Sequence, residues 1–482
     1  MKIQWYCENI HAISGYSDEA RVMVKGLADL GIEVKIIGKN IKPGRNEFKF
    51  QDRIEPGIPV VYHTYRHGNY RLRTHSYGIV RSMLEVTRIP QNWVYRFNQL
   101  SEIWVPNVFN YKVFERSGVK KDRIFIIPSP IDSGFGSDDT VFQFKTRKKF
   151  VFLSLFNYSA RIRKGLDILL RAYTKTFNQH DDVCLVIKSN TSRDTLDEEF
   201  NLSGSIPEIE VVNCVLDKKE LGALFRAAHC FIMPSRGEGI GRPYLEAMKA
   251  GLPIIATGWG GHCEFLSDNN SFLIQYKLVD VDRDDYIRYP GFYGSRWAEP
   301  DLEDLKKNML QVYNDYGYAL KKSNRARQQV ETFRIEKISR LMIERFENPL
   351  PARVYPEKKP NLFERLLPLY YPDLKFRDDV LRFNQQAFQS HIESVAIFGI
   401  GQRARHIFHY VNQEAGIKNI LFVDDQVAVD TFLNCPLVDI NRFSAKKDPV
   451  DLIIIGAKLN QLGDIFNRLI CQIDTLPVYV FD

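Results

Sequence analysis

The sequence predicts an α/β protein made of successive parallel sheets. Short apolar runs alternate with helix-length amphipathic segments, glycines and prolines punctuate the junctions, and the alternation restarts twice. The chain of 482 residues has material for about three domains. In order, KIQWYC reads as a strand, Asp18 to Leu30 as a helix stopped by Gly31, and VKIIG as the next strand. The pattern restarts at Lys149 with strand KFVFLSLF, helix Gly165 to Phe177, strands VCLVIKS and IEVVNC, and helix Lys218 to Ala228. Strand CFIMPS, helix Pro243 to Ala250 and strand PIIAT follow. Two wound units in succession predict two facing domains, 1–142 and 143–347, the second ending in a helical stretch from about Asp301 to Glu347.

Residues 349–372 hold six prolines, a density that favours an extended, semi-rigid linker over 348–390. A third, smaller unit, 391–482, then shows strands VAIFGIG, NILFVDD, DLIIIGA and VYVFD. Helices are expected over Arg403 to Gln413 and Gln461 to Cys471.

Composition excludes several function classes. Lys and Arg number 66 against 59 Asp and Glu, so the net charge of +7 suits an anionic ligand or a membrane surface but not a nucleic-acid protein. No apolar run approaches the ~18 residues of a membrane span, and MKIQWYCENI lacks a signal-peptide core. The seven cysteines never fall in C-x-x-C spacing, which argues against a disulfide framework or zinc ribbon and for a cytoplasmic protein.

The chemistry concentrates in PSRGEGIGRPYLEAMKAGLPIIATGWGG, residues 234–261. A strand runs into a loop with Gly237, Gly239 and Gly241, whose backbone N–H groups a ligand could approach unobstructed. Pro243 suits a helix start, Gly251 and Pro253 a helix stop, and a helix starting behind a glycine loop favours phosphate. Glu238 in the loop and Glu246 in the expected first helical turn lie eight positions apart, each able to accept two hydroxyl hydrogens of a sugar diol. Sugar, diphosphate and ribose in sequence make a nucleotide sugar.

Residues 234–261 resemble the motif of family-4 retaining glycosyltransferases, where Glu, seven residues and Glu are followed by Ala-Met and a Gly-x-Pro stop. SEIWVPNVFNYKVFERSGV, IIPSPID and GSRWAEPDLEDL are similar to further family segments in the same order, so the likeness spans Met1 to about Glu347. The resemblance implies a GT-B fold of two Rossmann-like domains, a nucleotide-sugar donor as substrate, no required cofactor or metal, and retention of configuration. It implies that Glu238 touches the transferred sugar, that Glu246 holds the ribose, and that backbone at Gly239, Ile240 and Gly241 lies near the donor. It also implies an Arg and a Lys against the leaving diphosphate, in FNYSARIRKGLDIL. Lys164 fits the lysine, Arg161 and Arg163 compete for the arginine with Arg161 preferred, and the usual arginine spacing falls near Tyr158. Fixed cations there would stabilise charge gained as the glycosidic bond breaks.

In the first domain, Gly15 stands where the family's loop faces the diphosphate, and Ser17 or Asp18 could serve as an ordinary helix N-cap. Residues 58–100 carry six arginines, no lysine and one acid, Glu85, with interleaved aromatics. An anionic or carbohydrate acceptor is favoured over a solvated basic face. Glu85 either orients the acceptor or pairs with Arg88; His63 and His75 read as structural histidines. In the third unit Gly399, Gly401 and Asp424 form a partial dinucleotide fingerprint, with Ala404 at the third glycine position.

The expected function is retaining hexosyl transfer to a glycan or lipid-linked acceptor. Peripheral attachment to the inner membrane face and a homo-oligomer are open expectations. A bifunctional enzyme that also binds NAD or a nucleotide sugar through its last domain, or a non-catalytic nucleotide-sugar-binding protein, is the alternative.

Overall fold

A computed structural model describes residues 1–350 apart from 8, 13, 39–48, 52, 65–76, 90, 133, 203, 283–284, 286–291 and 293. Beyond 350 it describes 394–398, 419–424, 431–432, 435–439, 452–455 and 478–480. The chain falls into two compact units, one holding the described residues up to 350 and one those from 394 onward.

The first unit contains two parallel sheets, each the centre of a lobe. The first lobe begins with β1 (Lys2–Tyr6), α1 (Gly15–Asp29), β2 (Glu33–Ile37), β3 (Lys49–Phe50), β4 (Val60–His63) and β5 (Gly78–Arg81). It continues with α2 (Gln91–Phe97), β6 (Glu102–Val105), α3 (Val108–Arg116) and β7 (Ile124–Ile126), in strand order β3-β2-β1-β4-β5-β6-β7. The central β4, β5 and β6 are buried throughout, because helices cover both faces of a parallel sheet and continuous apolar runs are needed there. Helix α1 starts three residues earlier than the sequence predicts. Ser14 is its N-cap, accepting from the Ser17 N–H, so neither Ser17 nor Asp18 is the cap.

The second lobe holds β8 (Phe150–Leu155), α4 (Leu166–Thr176), β9 (Val183–Lys188), α5 (Arg193–Phe200), β10 (Glu208–Val212) and α6 (Lys218–Ala227). After these come β11 (Cys230–Met233), α7 (Arg242–Ala250), β12 (Ile254–Thr257) and β13 (Phe272–Ile274), in order β10-β9-β8-β11-β12-β13. The other elements match the predicted runs to within a residue or two; α5 and β13 were not anticipated. In both lobes the order reverses beside the first strand, which places a ligand crevice at the carboxyl ends of the central strands.

An antiparallel hairpin, β14 (Tyr276–Asp280) and β15 (Arg296–Pro300), follows. The helical stretch after it is three helices, α8 (Leu302–Asn314), α9 (Tyr316–Gln329) and α10 (Ile335–Glu347). Asp315 breaks the first pair by capping α9 through the Tyr318 N–H. Helix α10 returns to the first lobe, where Ile338, Met342 and Phe346 join the core around Trp5 and Trp104. A bidentate contact from Arg345 to Glu102 and the bond from the Ile131 N–H to the Phe333 carbonyl tie the crossing.

The second unit is a six-stranded sheet of β16 (Ser394–Phe398), β17 (Asn419–Asp424), β18 (Thr431–Phe432), β19 (Cys435–Asp439), β20 (Leu452–Ile455) and β21 (Val478–Val480). Its order is β18-β19-β17-β16-β20-β21, parallel apart from β18. The four predicted strands are present, with β18 and β19 in addition. Most of the expected linker and both expected helices lie outside the described residues. The architecture is α/β with two facing Rossmann-like lobes and a further wound sheet.

Candidate active site

The loop after β11 and the start of α7 lie where the lobes meet. Residues 233–241 are all buried. Gly241 initiates the helix with φ of +78°, and Tyr244 donates back to its carbonyl at 2.9 Å. Glu246 sits in the second helical turn rather than the first, one turn deeper than expected.

Glu238 is the hub. Its Oε1 accepts from Lys164 Nζ at 2.7 Å and from the Ser235 hydroxyl at 2.7 Å, and Arg163 lies 3.5 Å away. Burial alone would raise the Glu238 pKa, but the two cations and the Ser235 hydroxyl outweigh it and hold the carboxyl below its ordinary range. Arg163 also donates to the Gly237 carbonyl at 2.6 Å and stands 4.0 Å from Glu85. Glu85 is shifted the other way, raised by burial and by the neighbouring Glu238 charge despite Arg163. Two carboxylates with opposed shifts therefore share one arginine.

Arg161, the preferred arginine from the sequence, points elsewhere. It pairs with Glu199 at 2.6 Å and lies 4.5 Å over the Tyr158 ring. The competing Arg163 is the arginine brought to Glu238. Two residues around a tight loop are enough to change side-chain direction, and spacing could not resolve it. Gly165 closes that loop with φ of +74°, and a Cβ there would stand 1.9 Å from the Pro234 carbonyl oxygen.

The glycines serve close approach of the lobes. A Cβ on Gly237 would lie 2.1 Å from the Glu85 carbonyl oxygen, and one on Gly239 2.8 Å from Met83 Cγ. Asn107 and Asn110 of the first lobe donate to the Gly239 carbonyl at 2.6 and 2.9 Å. The expected open loop is thus covered by the first lobe, with Ile240 buried beside it. Sequence reasoning missed the two asparagines, whose only signal is their place after an apolar strand.

The Glu246 side chain makes no ion pair or hydrogen bond among the described residues. Its pKa is raised to about 7 by burial, with Arg242 opposing and Asp18 adding to the shift. Arg242 is instead taken by Asp18 of α1 at 2.7 Å and by the Pro130 carbonyl at 3.1 Å. Gly15 opens α1 directly opposite, its Cβ position 3.9 Å from Arg242 Cδ.

The basic stretch 58–100 is not one surface. Arg81 is fully buried, donating to Glu19 at 2.6 Å, and His63 lies 3.1 Å from the same carboxylate. Burial would raise the Glu19 pKa, yet Arg81 and His63 hold it far below the carboxylate range. Arg88 is exposed against Gly294; Arg66, Arg71, Arg73 and His75 lie outside the described residues. So do Gly399 and Gly401, while Asp424 ends β17 beside the strand that precedes them. Among the described residues, no group of three His, Cys, Asp or Glu could hold a metal ion. Among them no helix is long and apolar enough to cross a membrane.

Two facing wound lobes with a charged, buried site between them define a GT-B glycosyltransferase fold. Residues 147–282 match the family model of glycosyl transferases group 1. A D-inositol 3-phosphate glycosyltransferase of Paenarthrobacter aurescens is 32% identical over 125 residues, which are 25% of this chain and 27% of that protein. The match thus spans about a quarter of that relative's length. Anabaena HepE, solved in complex with UDP and glucose, superposes with TM-score 0.54 and 12% identity over 72% of this chain and 100% of that one. Sucrose-phosphate synthase from Thermosynechococcus elongatus gives TM-score 0.54 and 14% identity over 72% and 98%.

Proposed function

We infer that the protein transfers a hexosyl group from a nucleotide sugar to a glycan or lipid-linked acceptor, with retention and without a metal. The observation that supports this best is the buried Glu238 carboxylate held by Lys164 and Arg163. An incoming diphosphate competes for both cations. As they turn to it, Glu238 becomes an acceptor for the sugar's hydroxyls, and Glu246 for the two ribose hydroxyls.

In the reaction the anomeric carbon–phosphate oxygen bond breaks, and its electron pair stays on the diphosphate. Lys164 and Arg163 stabilise that charge. The acceptor oxygen bonds the anomeric carbon from the face the leaving group vacates, and its proton passes to the departing phosphate oxygen. Glu85, raised by burial, faces the acceptor side, where it orients the attacking hydroxyl. Gly15, Gly239, Ile240 and Gly241 line the donor's path; Arg161 supports the loop through Glu199. The UDP and glucose in the HepE neighbour support a diphosphate-linked hexose as donor class.

The test is a thermal-shift screen of UDP-, GDP-, ADP- and dTDP-hexoses, followed by product analysis by NMR. At least one donor should raise the melting temperature, and the product anomer should match the donor's. Lys164→Ala should cut kcat by about 10²–10³, and Glu246→Ala should weaken nucleoside diphosphate binding by roughly 10- to 100-fold. If no nucleotide sugar binds, or Glu246→Ala leaves affinity unchanged, the assignment is wrong.

A further inference from the structure

Between Ser235 and Gly237, next to the Glu238 hub, Arg236 plays no part in the chemistry above, yet its guanidinium is buried and fully engaged. It donates to both oxygens of Asp167 at 2.7 and 2.8 Å and to both oxygens of Glu299 at 2.6 and 2.9 Å. Its Nη1 also reaches the Ile162 carbonyl at 2.6 Å, and its backbone N–H the Arg163 carbonyl at 2.7 Å. Ile162 and Arg163 belong to the loop that carries Lys164. Glu299 belongs to β15, and the Ala298 N–H donates to the Arg236 carbonyl at 2.9 Å.

The far end of β15, still paired with β14, also reaches the first lobe. Arg296 exchanges two backbone-directed bonds with Thr87 of the first lobe: its N–H reaches the Thr87 hydroxyl at 2.8 Å, and its carbonyl accepts the Thr87 N–H at 3.1 Å. Thr87 is two residues from Glu85. A continuous set of hydrogen bonds thus runs from the acceptor side, along one strand, through Arg236, into the cation loop.

We propose that Arg236 is a positioning residue that couples the docking of β15 on the first lobe to the placement of Lys164 and Arg163 at Glu238. The inference rests on the glycosyl-transfer reading for its catalytic consequence, but its structural content stands apart from it. A planar guanidinium can clamp two carboxylates bidentately in a fixed plane, which an ammonium cannot. Arg236→Lys therefore keeps the charge and loses the register. Glu299→Gln, at a half-exposed position, removes only the link to the strand.

The experiment uses full-length protein with two readouts on both variants, after melting curves show each is folded. The first is the rate at which Lys164 is acetylated, followed by peptide mass spectrometry. It should rise at least fivefold in both variants as the loop loosens. The second is steady-state transfer, where kcat should fall at least tenfold while the donor KM changes less than threefold. A merely structural Arg236 would lower the melting temperature without altering Lys164 protection in the folded protein. Unchanged Lys164 acetylation in both folded variants overturns the proposal, as does wild-type kcat in both. Faster acetylation in a protein that transfers no sugar supports the positioning role and overturns the glycosyl-transfer reading alone.

Discussion

Glu246 differs from Glu238 and Asp18. Glu238 and Asp18 have cations that outweigh burial, whereas Glu246 is raised to about 7 by burial, with Arg242 engaged by Asp18. A protonated carboxyl donates one bond, while the ionised form accepts from both hydroxyls of a ribose. Nucleoside diphosphate affinity, measured by calorimetry, should therefore rise as pH increases from 6 to 8. Glu246→Gln should remove that step. The stability sign is opposite. A folded-state pKa above the ordinary 4.5 means the folded protein binds the extra proton, so this group's contribution is lost as pH rises from 4.5 through about 7. Glu246→Gln should thus gain stability relative to wild type at pH 8 but not at pH 4, read by chemical denaturation at both values. A pH-independent difference would place the ionisation elsewhere.

At the scale of elements, periodicity made most strands and helices of the second lobe legible, because buried parallel strands must be apolar throughout and helices must not. Glu238 and Lys164 lie in loops that follow strands, where the sequence pattern puts them, and the fold brings them to 2.7 Å; Glu246 lies on α7 itself. What spacing could not show is which distant surface fills a gap. Asn107 and Asn110 meet the Gly239 carbonyl across about 130 residues of chain. Arg161 pairs with Glu199, which lies on a helix the periodicity did not reveal, while Arg163 meets Glu238. Gly26 was silent for the same reason. It lies mid-helix in α1, where glycine costs about 1 kcal/mol relative to alanine. A Cβ there would stand 2.3 Å from Ser339 Oγ and 2.5 Å from Ile335 Cγ1 of α10. The glycine permits the crossing helix to seat. Gly26→Ala should therefore destabilise by about 1–3 kcal/mol despite its better helix propensity, and adding Ser339→Gly should recover part of the loss. A more stable Gly26→Ala protein would show that α10 yields instead.

At the scale of the whole first unit, the lobes are shut on the site. Asp18 holds Arg242 at 2.7 Å, the Val108 N–H meets Glu264 at 3.2 Å, and Phe109 packs edge-on to Trp259 at 5.0 Å between centroids. With Gly237 and Gly239 pressed against Glu85 and Met83, Glu238 is buried, and the proposed donor would reach it once these contacts part. Helix α10 supplies a connection that survives such parting, since its apolar residues belong to the first lobe's core. The opening equilibrium then limits how fast a donor binds, and a latch residue far from the sugar should tune it. Asp18 qualifies: it reaches Arg242 from α1, and both side chains are largely buried, at 24% and 12% exposed. Loss of its charge should shift the balance toward the open form by about 1–2 kcal/mol, or roughly 5- to 30-fold. Asp18→Asn should accordingly speed association of a fluorescent nucleoside diphosphate in stopped flow by a factor within that range. Its radius of gyration by solution scattering should grow, and its kcat should fall because the closed form is less populated. An unchanged association rate with unchanged scattering would mean that donors reach Glu238 without the lobes separating at Asp18.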